Sequence, residues 1–317
     1  MTQRRHEKYD ALIRRCRQLP PVRTAVVHPC DETSLSAAVE AAALGLIEPI
    51  LVGPSARIRA LADALSLDIG TLELVDTPHS HASAAKAVEI VRAGKVDALM
   101  KGSLHTDELM AEVLRTDTGI RTARRVSHVF VMDVPMYPKP LLITDAAINI
   151  SPTLEDKVDI VQNAIDLAHV LGIATPKVAV LSAVETVTSK LPSTIDAAAL
   201  CKMAERGQIR GGLVDGPLAF DNAVSREAAA MKEIKSDVAG DADILVVPDL
   251  EAGNMLAKEL TFLANADAAG IVLGARVPII LTSRADNMRA RMASCAIVVL
   301  HAHATRTATM PISRLTT

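Results

Sequence analysis

The sequence predicts an α/β protein with two domains. Short apolar runs rich in β-branched residues alternate with longer helical patterns along almost the whole chain, as in repeated βαβ units. Most of these runs are continuous rather than alternating, which is typical of parallel strands covered on both faces. The chain has 317 residues, and a domain typically has roughly 150. We therefore expect two three-layer α/β/α domains with mostly parallel sheets.

Twelve segments are predicted to be strands, because each is a short apolar run bounded by turn residues: 24–28, 50–52, 72–75, 98–101, 128–134, 141–144, 177–181, 212–214, 244–247, 270–273, 278–281 and 297–300. Helical periodicity predicts nine helices: 33–46, 55–66, 81–94, 105–116, 153–171, 193–206, 225–236, 252–266 and 286–295. Twelve strands are many for one sheet, so two α/β domains are expected.

The helix predicted at 153–171 shows how local signals agree. Ser151 is a suitable N-cap, Pro152 fits the first helical position, where its missing N–H costs nothing, and Gly172 is a suitable terminator. Residues 145–150 then connect the preceding strand to this helix. In open α/β sheets ligands bind at such connections.

The polar segment 116–125 is the best candidate for a domain boundary, because it contains three arginines and precedes a new strand. A short hinge near residues 282–286 is the predicted second crossing, from which the last elements return to the first domain. We therefore predict a first domain of residues 1–125 plus 286–317, and a second domain of residues 126–285.

Composition excludes several classes of protein. The net charge of −3 argues against a global basic field for nucleic acid, and the absence of Trp, with only two Tyr and three Phe, argues against base-stacking platforms. No apolar run reaches the ~18 residues that a membrane span needs, and the charged amino end has no apolar segment of the kind found in signal peptides. The four cysteines form no CxxC pair, so we expect reduced thiols in a cytoplasmic protein.

Known motifs narrow the chemistry further. The sequence has no P-loop, no strand-GxGxxG-helix unit and no GxSxG elbow. Two HxH pairs, at residues 79–81 and 301–303, have no acidic or cysteine ligands at metal spacing nearby, so they are interpreted as loop and surface histidines.

Three strand-to-helix connections carry polar residues. Residues 101–106 (KGSLHT) could bind an anion at the start of a helix, or Ser103 and Thr106 could simply cap that helix. Asp215 and Asp221 frame a Gly-Pro turn and could be base and orienter, or turn formers. Residues 248–254 (PDLEAGN) join a predicted strand to the next helix. For this segment, as for residues 215–221, a structural role is favoured when the motif is considered alone.

The most informative stretch is residues 279–286 (IILTSRAD), where a buried strand ends in a hydroxyl, a guanidinium and a carboxylate. The fork of Arg284 matches two phosphate oxygens at once. Ser283 can donate to a phosphoryl or carbonyl oxygen, and Asp286 can accept a proton if it is partly desolvated. The alternative is that Ser283 or Asp286 caps the helix while Arg284 is solvated. The number of similar strand-end loops favours the functional interpretation, because strand ends converge on one crevice.

From about residue 20 to 303, the chain resembles the phosphate acetyltransferase/phosphate butyryltransferase family. The resemblance rests on seven motifs in order: KGSLHTDELM (101–110), RRVSHVFVMDVP (124–135), LLITDAAINISPTLEDKVDIVQNAI (141–165), KLPSTIDAA (190–198), DGPLAFDNA (215–223), VPDLEAGNMLAKEL (247–260) and PIILTSRAD (278–286). It implies reversible acyl transfer between coenzyme A and phosphate: acyl-CoA plus phosphate gives acyl phosphate plus CoA. It also implies an isocitrate/isopropylmalate-dehydrogenase-like topology, an active-site cleft between the domains, a homodimer, and no metal or other cofactor, coenzyme A being a substrate.

The family's Ser-Arg pair falls on Ser283 and Arg284. In acetyltransferase members the catalytic acid lies several residues beyond the Arg, whereas Asp286 follows after one residue, as in butyryltransferase-like members; Asp286 is our candidate base. Arg121, Arg124 and Arg125 are candidates for contacts with CoA phosphates, or form a solvated basic hinge. The residues expected to line the substrate site are Lys101, Gly102, Ser103, His105, Thr106, Ser127, Asp145, Asn149, Asp221, Gly253 and Asn254.

No activated Cys or Ser-His pair is visible, so we expect direct transfer in a ternary complex without an acyl-enzyme. One alternative is a metal-dependent dehydrogenase-like enzyme of the same topology, although its aspartate cluster and nucleotide motif are not seen. The other is a non-catalytic relic of the acyltransferase fold, against which the complete 282–286 segment argues. The sequence leaves the acyl chain open, because one methylene is worth only ~1–3 kcal/mol of discrimination.

Overall fold

The computed structural model describes residues 7–283 and 286–309. Contacts between residues divide them into two units. The N-terminal unit contains Tyr9–Thr122 and the described residues from Ala275 onward; the central unit contains Ala123–Gly274 together with Glu7 and Lys8. The chain thus passes between the units after residues 8, 122 and 274. The sequence analysis placed divisions after residues 125 and 285.

The described residues form eleven strands: β1 (Val22–Val27), β2 (Ile47–Gly53), β3 (Glu73–Asp76), β4 (Ala98–Lys101), β5 (Ser127–Asp133), β6 (Leu141–Thr144), β7 (Lys177–Leu181), β8 (Leu213–Leu218), β9 (Ile244–Val246), β10 (Asp267–Leu273) and β11 (Ile279–Ile280). They also form eleven helices: α1 (Glu7–Cys16), α2 (Glu32–Ala43), α3 (Ser55–Ala64), α4 (Ser80–Arg92), α5 (Thr106–Val113), α6 (Leu154–Val170), α7 (Pro192–Glu205), α8 (Phe220–Val224), α9 (Arg226–Met231), α10 (Leu250–Phe262) and α11 (Met288–Thr309). This alternation confirms the predicted α/β class.

The N-terminal unit has a parallel sheet with the strand order β3-β2-β1-β4-β11. Because its strands are parallel, they all end at the same edge of the sheet. The last strand, β11, comes from the far end of the sequence and pairs with β4, with Ile279 opposite Leu99. This pairing explains why the chain rejoins the N-terminal unit soon after residue 274 rather than near residue 286.

The central unit has a mixed sheet with the strand order β10-β5-β6-β9-β7-β8. Strand β5 is antiparallel to both β10 and β6, whereas β6, β9, β7 and β8 are parallel to one another. All seven residues of the antiparallel strand β10 are buried. The continuous apolar run of β10 therefore indicates that both faces of this strand are covered. It does not indicate that the strand is parallel to its neighbours.

The strand predicted at residues 297–300 is wrong, because these residues lie within α11. Every residue from 290 to 300 is buried, so this part of the helix has no polar face to reveal a helical period. A short apolar run cannot be distinguished from a buried helix by periodicity alone. The flanking alanines, Ala293 and Ala296, are strong helix formers and were the better signal.

Helix α6 begins differently from the sequence prediction. The N-cap is Thr153, not Ser151: the Thr153 hydroxyl accepts from the Asp156 N–H (3.2 Å), and the Asp156 carboxylate accepts from the Thr153 N–H (3.1 Å). Pro152 therefore precedes the cap. This reciprocal arrangement satisfies two backbone donors at once and outcompetes a single serine cap. Gly172 ends the helix in the left-handed region (φ +96°), as predicted.

His128 on β5 is fully buried, and neither of its ring nitrogens has a hydrogen-bond partner. Its ring packs edge-on against Phe130, with 4.3 Å between the ring centroids. Burial lowers the pKa of His128 to about 3, because an imidazolium in this apolar setting would lose its hydration without compensation. The folded protein therefore holds a neutral imidazole in its core.

We predict that His128 makes the protein sensitive to mild acid. An unfolded histidine takes up a proton near pH 6.5, but the folded protein does not until about pH 3. Between these values acidification favours the unfolded chain, and the free energy of unfolding falls by up to about 1.4 kcal/mol per pH unit from this group. Urea unfolding measures this effect: between pH 7 and pH 5 the free energy of unfolding should fall less steeply for His128→Met than for the wild type. His81→Met, at a side chain that is 68% exposed, is the control and should keep the wild-type slope; equal slopes for His128→Met and the wild type would refute the assignment.

Candidate active site

The loop after β11 holds two of the three residues that the sequence analysis placed at the centre of the chemistry. The Ser283 N–H donates to Asp286 Oδ2 (2.6 Å), and the Asp286 N–H donates to the Ser283 carbonyl (3.2 Å). Arg284, the third, lies outside the described residues. The helix-capping alternative is not observed for Asp286, since the Ala290 N–H at the start of α11 bonds to Asn287 Oδ1 (2.9 Å). The Asp286 carboxylate instead closes the loop on itself.

Arg291 of α11 completes this loop, and the sequence analysis missed it. Its guanidinium donates to the Asp286 carbonyl (Nε, 3.3 Å), the Thr282 hydroxyl (Nη1, 2.9 Å) and the Ser283 carbonyl (Nη2, 2.6 Å). The residue is only 4% exposed. A signal was present in the sequence. The helix dipole disfavours arginines near the start of a helix, so an arginine at this position indicates a compensating local interaction.

The environment of Asp286 makes its carboxylate a stronger base than an exposed one. Burial raises the pKa of Asp286, while the bond from the Ser283 N–H and the charge of Arg291 lower it. The net result is a raised pKa. A half-buried carboxylate with a raised pKa, held in place by backbone bonds, is suited to accept a proton.

The four cysteines lack the activation that a nucleophile needs. None is in a disulfide. Burial raises the pKa of Cys16, Cys201 and Cys295 to about 12 in each case, and it also raises the pKa of Cys30. These thiols are therefore protonated near neutral pH, whereas reactive cysteines have lowered pKa values.

Gly102 gives the loop after β4 its tight course. Its N–H donates to the Val27 carbonyl (2.9 Å), and a Cβ at this position would lie 2.3 Å from that oxygen and 2.6 Å from the His28 carbonyl. Strands β4 and β11 are neighbours, with Ile280 opposite Met100. The loops that follow them therefore leave the sheet side by side.

The hydroxyl of Ser103 is engaged in this turn rather than in capping. It donates to the His28 carbonyl (2.8 Å) and accepts from the Cys30 N–H (3.3 Å). The N-cap of α5 is His105, which makes no side-chain cap bond, and Thr106 is the first helical residue. Lys101 is half-buried, and its ammonium lies 3.3 Å from the Gly102 carbonyl.

His28, at the carboxyl end of β1, is a second residue that the sequence analysis missed. It adopts the left-handed conformation (φ +56°), and Nδ1 lies 3.1 Å from the Ser83 hydroxyl. That hydroxyl is 2.8 Å from Thr77 Oγ1. Burial lowers the pKa of His28. A non-glycine residue in this conformation at a strand end is uncommon, but it cannot be seen in the sequence.

In the central unit, Asp145, Asn149 and Ser127 come together at the carboxyl end of β6. The Asp145 carboxylate accepts from the N–H groups of residues 147, 148 and 149 (2.9–3.2 Å) and from Asn149 Nδ2 (2.6 Å). Asn149 Nδ2 also donates to the Val126 carbonyl (2.9 Å), and Ser127 accepts from Asn163 of α6 (2.8 Å). Asp145 and Asn149 are therefore heavily engaged in building the loop. Burial raises the pKa of Asp145 despite these bonds.

Gly253 and Asn254 of α10 pack against the same loop. A Cβ on Gly253 would lie 3.0 Å from the Asp145 carbonyl oxygen, and Asn254 Nδ2 donates to the Ala146 carbonyl (3.3 Å). The predicted convergence of strand-end loops is thus observed within this unit. Asp221 lies elsewhere, exposed in the first turn of α8, where its carbonyl accepts from the Ser225 N–H.

The two arginines before β5 are paired with acids of α6. Arg124 Nη1 lies 2.5 Å from Asp166, and Arg125 Nη1 lies 3.2 Å from Asp156. Arg125 Nε also donates to Asn149 Oδ1 (2.8 Å). A phosphate at either arginine would have to compete with these carboxylates. Arg121 is exposed and forms a single antiparallel bridge with Ala275.

Other features of the described residues do not coincide with these loops. A cavity of about 560 Å³ lies beside β8, between the end of α7 and residues 235–238. Asp215 lines it, but none of the residues expected to line the substrate site does. Within residues 7–283 and 286–309, no group of three or more His, Cys, Asp or Glu side chains is arranged to hold a metal ion. Among the helices of the same residues, none is long and apolar enough to cross a membrane.

We predict that Gly102→Ala disrupts the loop after β4. The new methyl group cannot be accommodated 2.3 Å from a backbone oxygen, so the turn must move and its bonds to β1 must lengthen. Gly70→Ala is the control, since the nearest atom to its Cβ would be the Asp68 carboxylate at 3.3 Å and the site is exposed. Thermal unfolding should show a lower midpoint for Gly102→Ala and little change for Gly70→Ala. A midpoint unchanged by Gly102→Ala would show that the turn can adapt.

Comparisons with known proteins identify the family of this chain. The family model described as phosphate acetyl/butaryl transferase matches residues 79–299. A phosphate acetyltransferase of Rhizobium meliloti is 66% identical over 301 residues, which cover 95% of this chain and 95% of that protein. A phosphate butyryltransferase of Clostridium acetobutylicum is 40% identical over 294 residues, covering 93% of this chain and 98% of that protein.

The fold of this chain is similar to that of a solved structure. The branched-chain phosphotransacylase from Enterococcus faecalis superposes with a TM-score of 0.76 at 31% identity, covering 88% of this chain and 99% of that one. The family match and these relatives confirm the predicted phosphate acyltransferase and support neither alternative that the sequence analysis left open. The chain therefore belongs to the phosphate acetyl/butaryl transferase family and is an acyltransferase.

Proposed function

We propose that this protein transfers an acetyl group between coenzyme A and phosphate directly, in a ternary complex, with Asp286 as the base. The observation that carries the proposal is the Asp286 carboxylate, half-buried and fixed by the Ser283 N–H at 2.6 Å. The preference for acetyl is supported by the 66% identity to a phosphate acetyltransferase, against 40% to a phosphate butyryltransferase.

In the direction of acetyl-CoA synthesis, Asp286 removes the proton of the CoA thiol, whose ordinary pKa is near ~8.5. The sulfur attacks the carbonyl carbon of acetyl phosphate, a C–S bond forms, the C–O bond to phosphate breaks, and phosphate leaves with its electron pair. The proton on Asp286 then passes to solvent or to the departing phosphate. In the reverse direction an oxygen of hydrogen phosphate attacks the thioester carbonyl and gives up its proton to Asp286. The C–S bond breaks, and the CoA thiolate leaves and takes that proton from Asp286.

The neighbouring groups of the loop have complementary roles in this scheme. The Ser283 hydroxyl, which is exposed, donates to the developing oxyanion or to a phosphoryl oxygen. Arg284 neutralises the phosphate, as the family resemblance implies. These donors act mainly in the transition state, where charge develops, and much of the remaining acceleration comes from orienting two bound substrates.

The remaining predicted residues are proposed to line the substrate site. In the N-terminal unit they are Lys101, Gly102, Ser103, His105 and Thr106; the loop after β4 leaves the sheet beside β11. In the central unit they are Ser127, Asp145, Asn149, Asp221, Gly253 and Asn254. The candidates for CoA phosphates are Arg121 of the N-terminal unit and Arg124 and Arg125 of the central unit. We further propose that the protein is a cytoplasmic homodimer that uses no metal or other cofactor.

We predict phosphate-dependent release of CoA from acetyl-CoA, with a higher kcat/KM than for propionyl- or butyryl-CoA. A thiol-release assay in phosphate with the three thioesters measures this directly. Arsenate in place of phosphate should sustain release, because the acyl arsenate formed hydrolyses spontaneously. A higher kcat/KM for butyryl-CoA would contradict the acetyl assignment, and a parallel-line, ping-pong pattern in initial rates would contradict the ternary complex.

We predict that Arg284→Ala and Asp286→Asn each lower kcat by about 10²-fold or more, because one removes a transition-state donor and the other removes the base. Asparagine keeps an oxygen that can accept from the Ser283 N–H, so the loop should keep its shape. Arg276→Ala, at an exposed arginine shortly before β11, is the matched control and should retain the wild-type rate. Near-normal turnover by Arg284→Ala would remove this residue from the mechanism, and persistent activity of Asp286→Asn would move the base to another acid, with Asp221 the next candidate.

A further inference from the structure

The buried guanidinium of Arg291 is devoted to the loop that carries Ser283 and Asp286. Its three described acceptors are the Thr282 hydroxyl (2.9 Å) and the carbonyls of Ser283 (2.6 Å) and Asp286 (3.3 Å). The planar fork of an arginine can reach several acceptors with fixed mutual directions, which a lysine ammonium cannot do. Arg291 is 4% exposed, so water has little access to the guanidinium and cannot readily replace these hydrogen bonds.

We propose that Arg291 is a positioning residue for acyl transfer, whose guanidinium holds Thr282, Ser283 and Asp286 as one rigid unit and keeps a positive charge beside the Asp286 carboxylate. It touches no substrate in this scheme and acts through the loop. The proposal rests on the proposed role of Asp286 as the base, which gives the position of that carboxylate its importance.

The charged and titratable groups around this pair define the electrostatic consequence. Among the described residues, Arg291 is the charged side chain that influences Asp286, while Asp31 at the start of α2 and Cys295 on α11 also influence Arg291. Cys295 has a pKa of about 12 and is a neutral thiol near pH 7. The Asp31 carboxylate accepts from the Ser34 N–H (2.8 Å). The positive charge of Arg291 is thus favoured by the charges of Asp286 and Asp31.

Removal of the positive charge should move the titration of Asp286 in a defined direction. Burial already raises the pKa of Asp286, and Arg291 opposes that rise. Without the cation the pKa rises further, so the base becomes protonated at a higher pH. Because transfer needs the ionised carboxylate, the acid limb of the kcat/KM profile should move to higher pH. Loss of packing alone would lower the rate without moving this limb.

The test compares Arg291→Met and Arg291→Lys with the wild type and with Arg289→Met. Arg289 is on the same helix and pairs with Asp10 (2.7 Å), with its side chain 39% exposed, so its removal should change kcat less than ~2-fold. Arg291→Met should lower kcat by about 10²-fold, the scale expected when a reacting group is misplaced by roughly 1 Å, and should raise the acid limb. Arg291→Lys should keep the limb near its wild-type position while recovering only part of the rate.

A second readout does not depend on activity. The Ser283 amide donates to Asp286, so hydrogen exchange should be slow at this amide in the wild type and faster in Arg291→Met and Arg291→Lys. If Arg291→Met fails to fold, Arg291→Lys still tests the proposal through its rate, its unmoved acid limb and the same amide. The proposal is overturned if Arg291→Met keeps kcat within ~3-fold of the wild type, if its acid limb stays in place, or if the Ser283 amide exchanges as before in both variants. Absence of thiol release by the wild type would instead overturn the proposed function, while the exchange data would still decide whether Arg291 holds the loop.

Discussion

The parallel pairing of β1, β4 and β11 determines where the candidate catalytic loop can lie. Because these strands run in one direction, the loops that follow them all leave the same edge of the sheet, and Gly102 must pass within hydrogen-bond distance of the end of β1. The residues at this edge come from positions 28, 102 and 283 of the sequence. Only the late return of β11 places Ser283 beside a turn made almost two hundred residues earlier.

Where several loops crowd at one edge of a sheet, some of their backbone N–H and carbonyl groups are shielded from water. These groups need hydrogen-bond partners within the protein. The two units meet this need with different side chains. In the N-terminal unit Arg291 supplies donors for the carbonyls of residues 283 and 286. In the central unit the carboxyl group of Asp145 supplies acceptors for the N–H groups of residues 147 to 149. In both cases a buried polar side chain organises a strand-to-helix connection by bonding to several backbone groups, which a side chain with fewer donors or acceptors could not do.

The sequence was most informative where a single local rule decides the outcome. Eleven of the twelve predicted strands overlap those of the structure, and Gly172 ends α6 as predicted. It was least informative where the partner is distant. The segment 297–300 was mispredicted because residues 290–300 are all buried and show no helical period. The contact of His28 with Ser83 joins residues 55 positions apart in the sequence. The predicted site residues Asp145 and Asn149 were correctly placed at a strand end, but a sequence does not reveal that each already has several bonds within its own loop.

The strength of Asp286 as a base depends on a balance between burial and charge. A fully exposed aspartate has a pKa near ~3.9 and is a weak base toward a thiol. An aspartate buried without a counter-charge would be protonated near neutral pH and could not act as a base at all. The structure lies between these limits, because desolvation raises the pKa of Asp286 while the Ser283 N–H and the Arg291 guanidinium oppose the rise. The same guanidinium also bonds to the loop backbone on both sides of the carboxylate. Both the position and the basicity of the candidate base therefore depend on Arg291 as well as on burial and the Ser283 N–H, and we expect a change at Arg291 to alter both together.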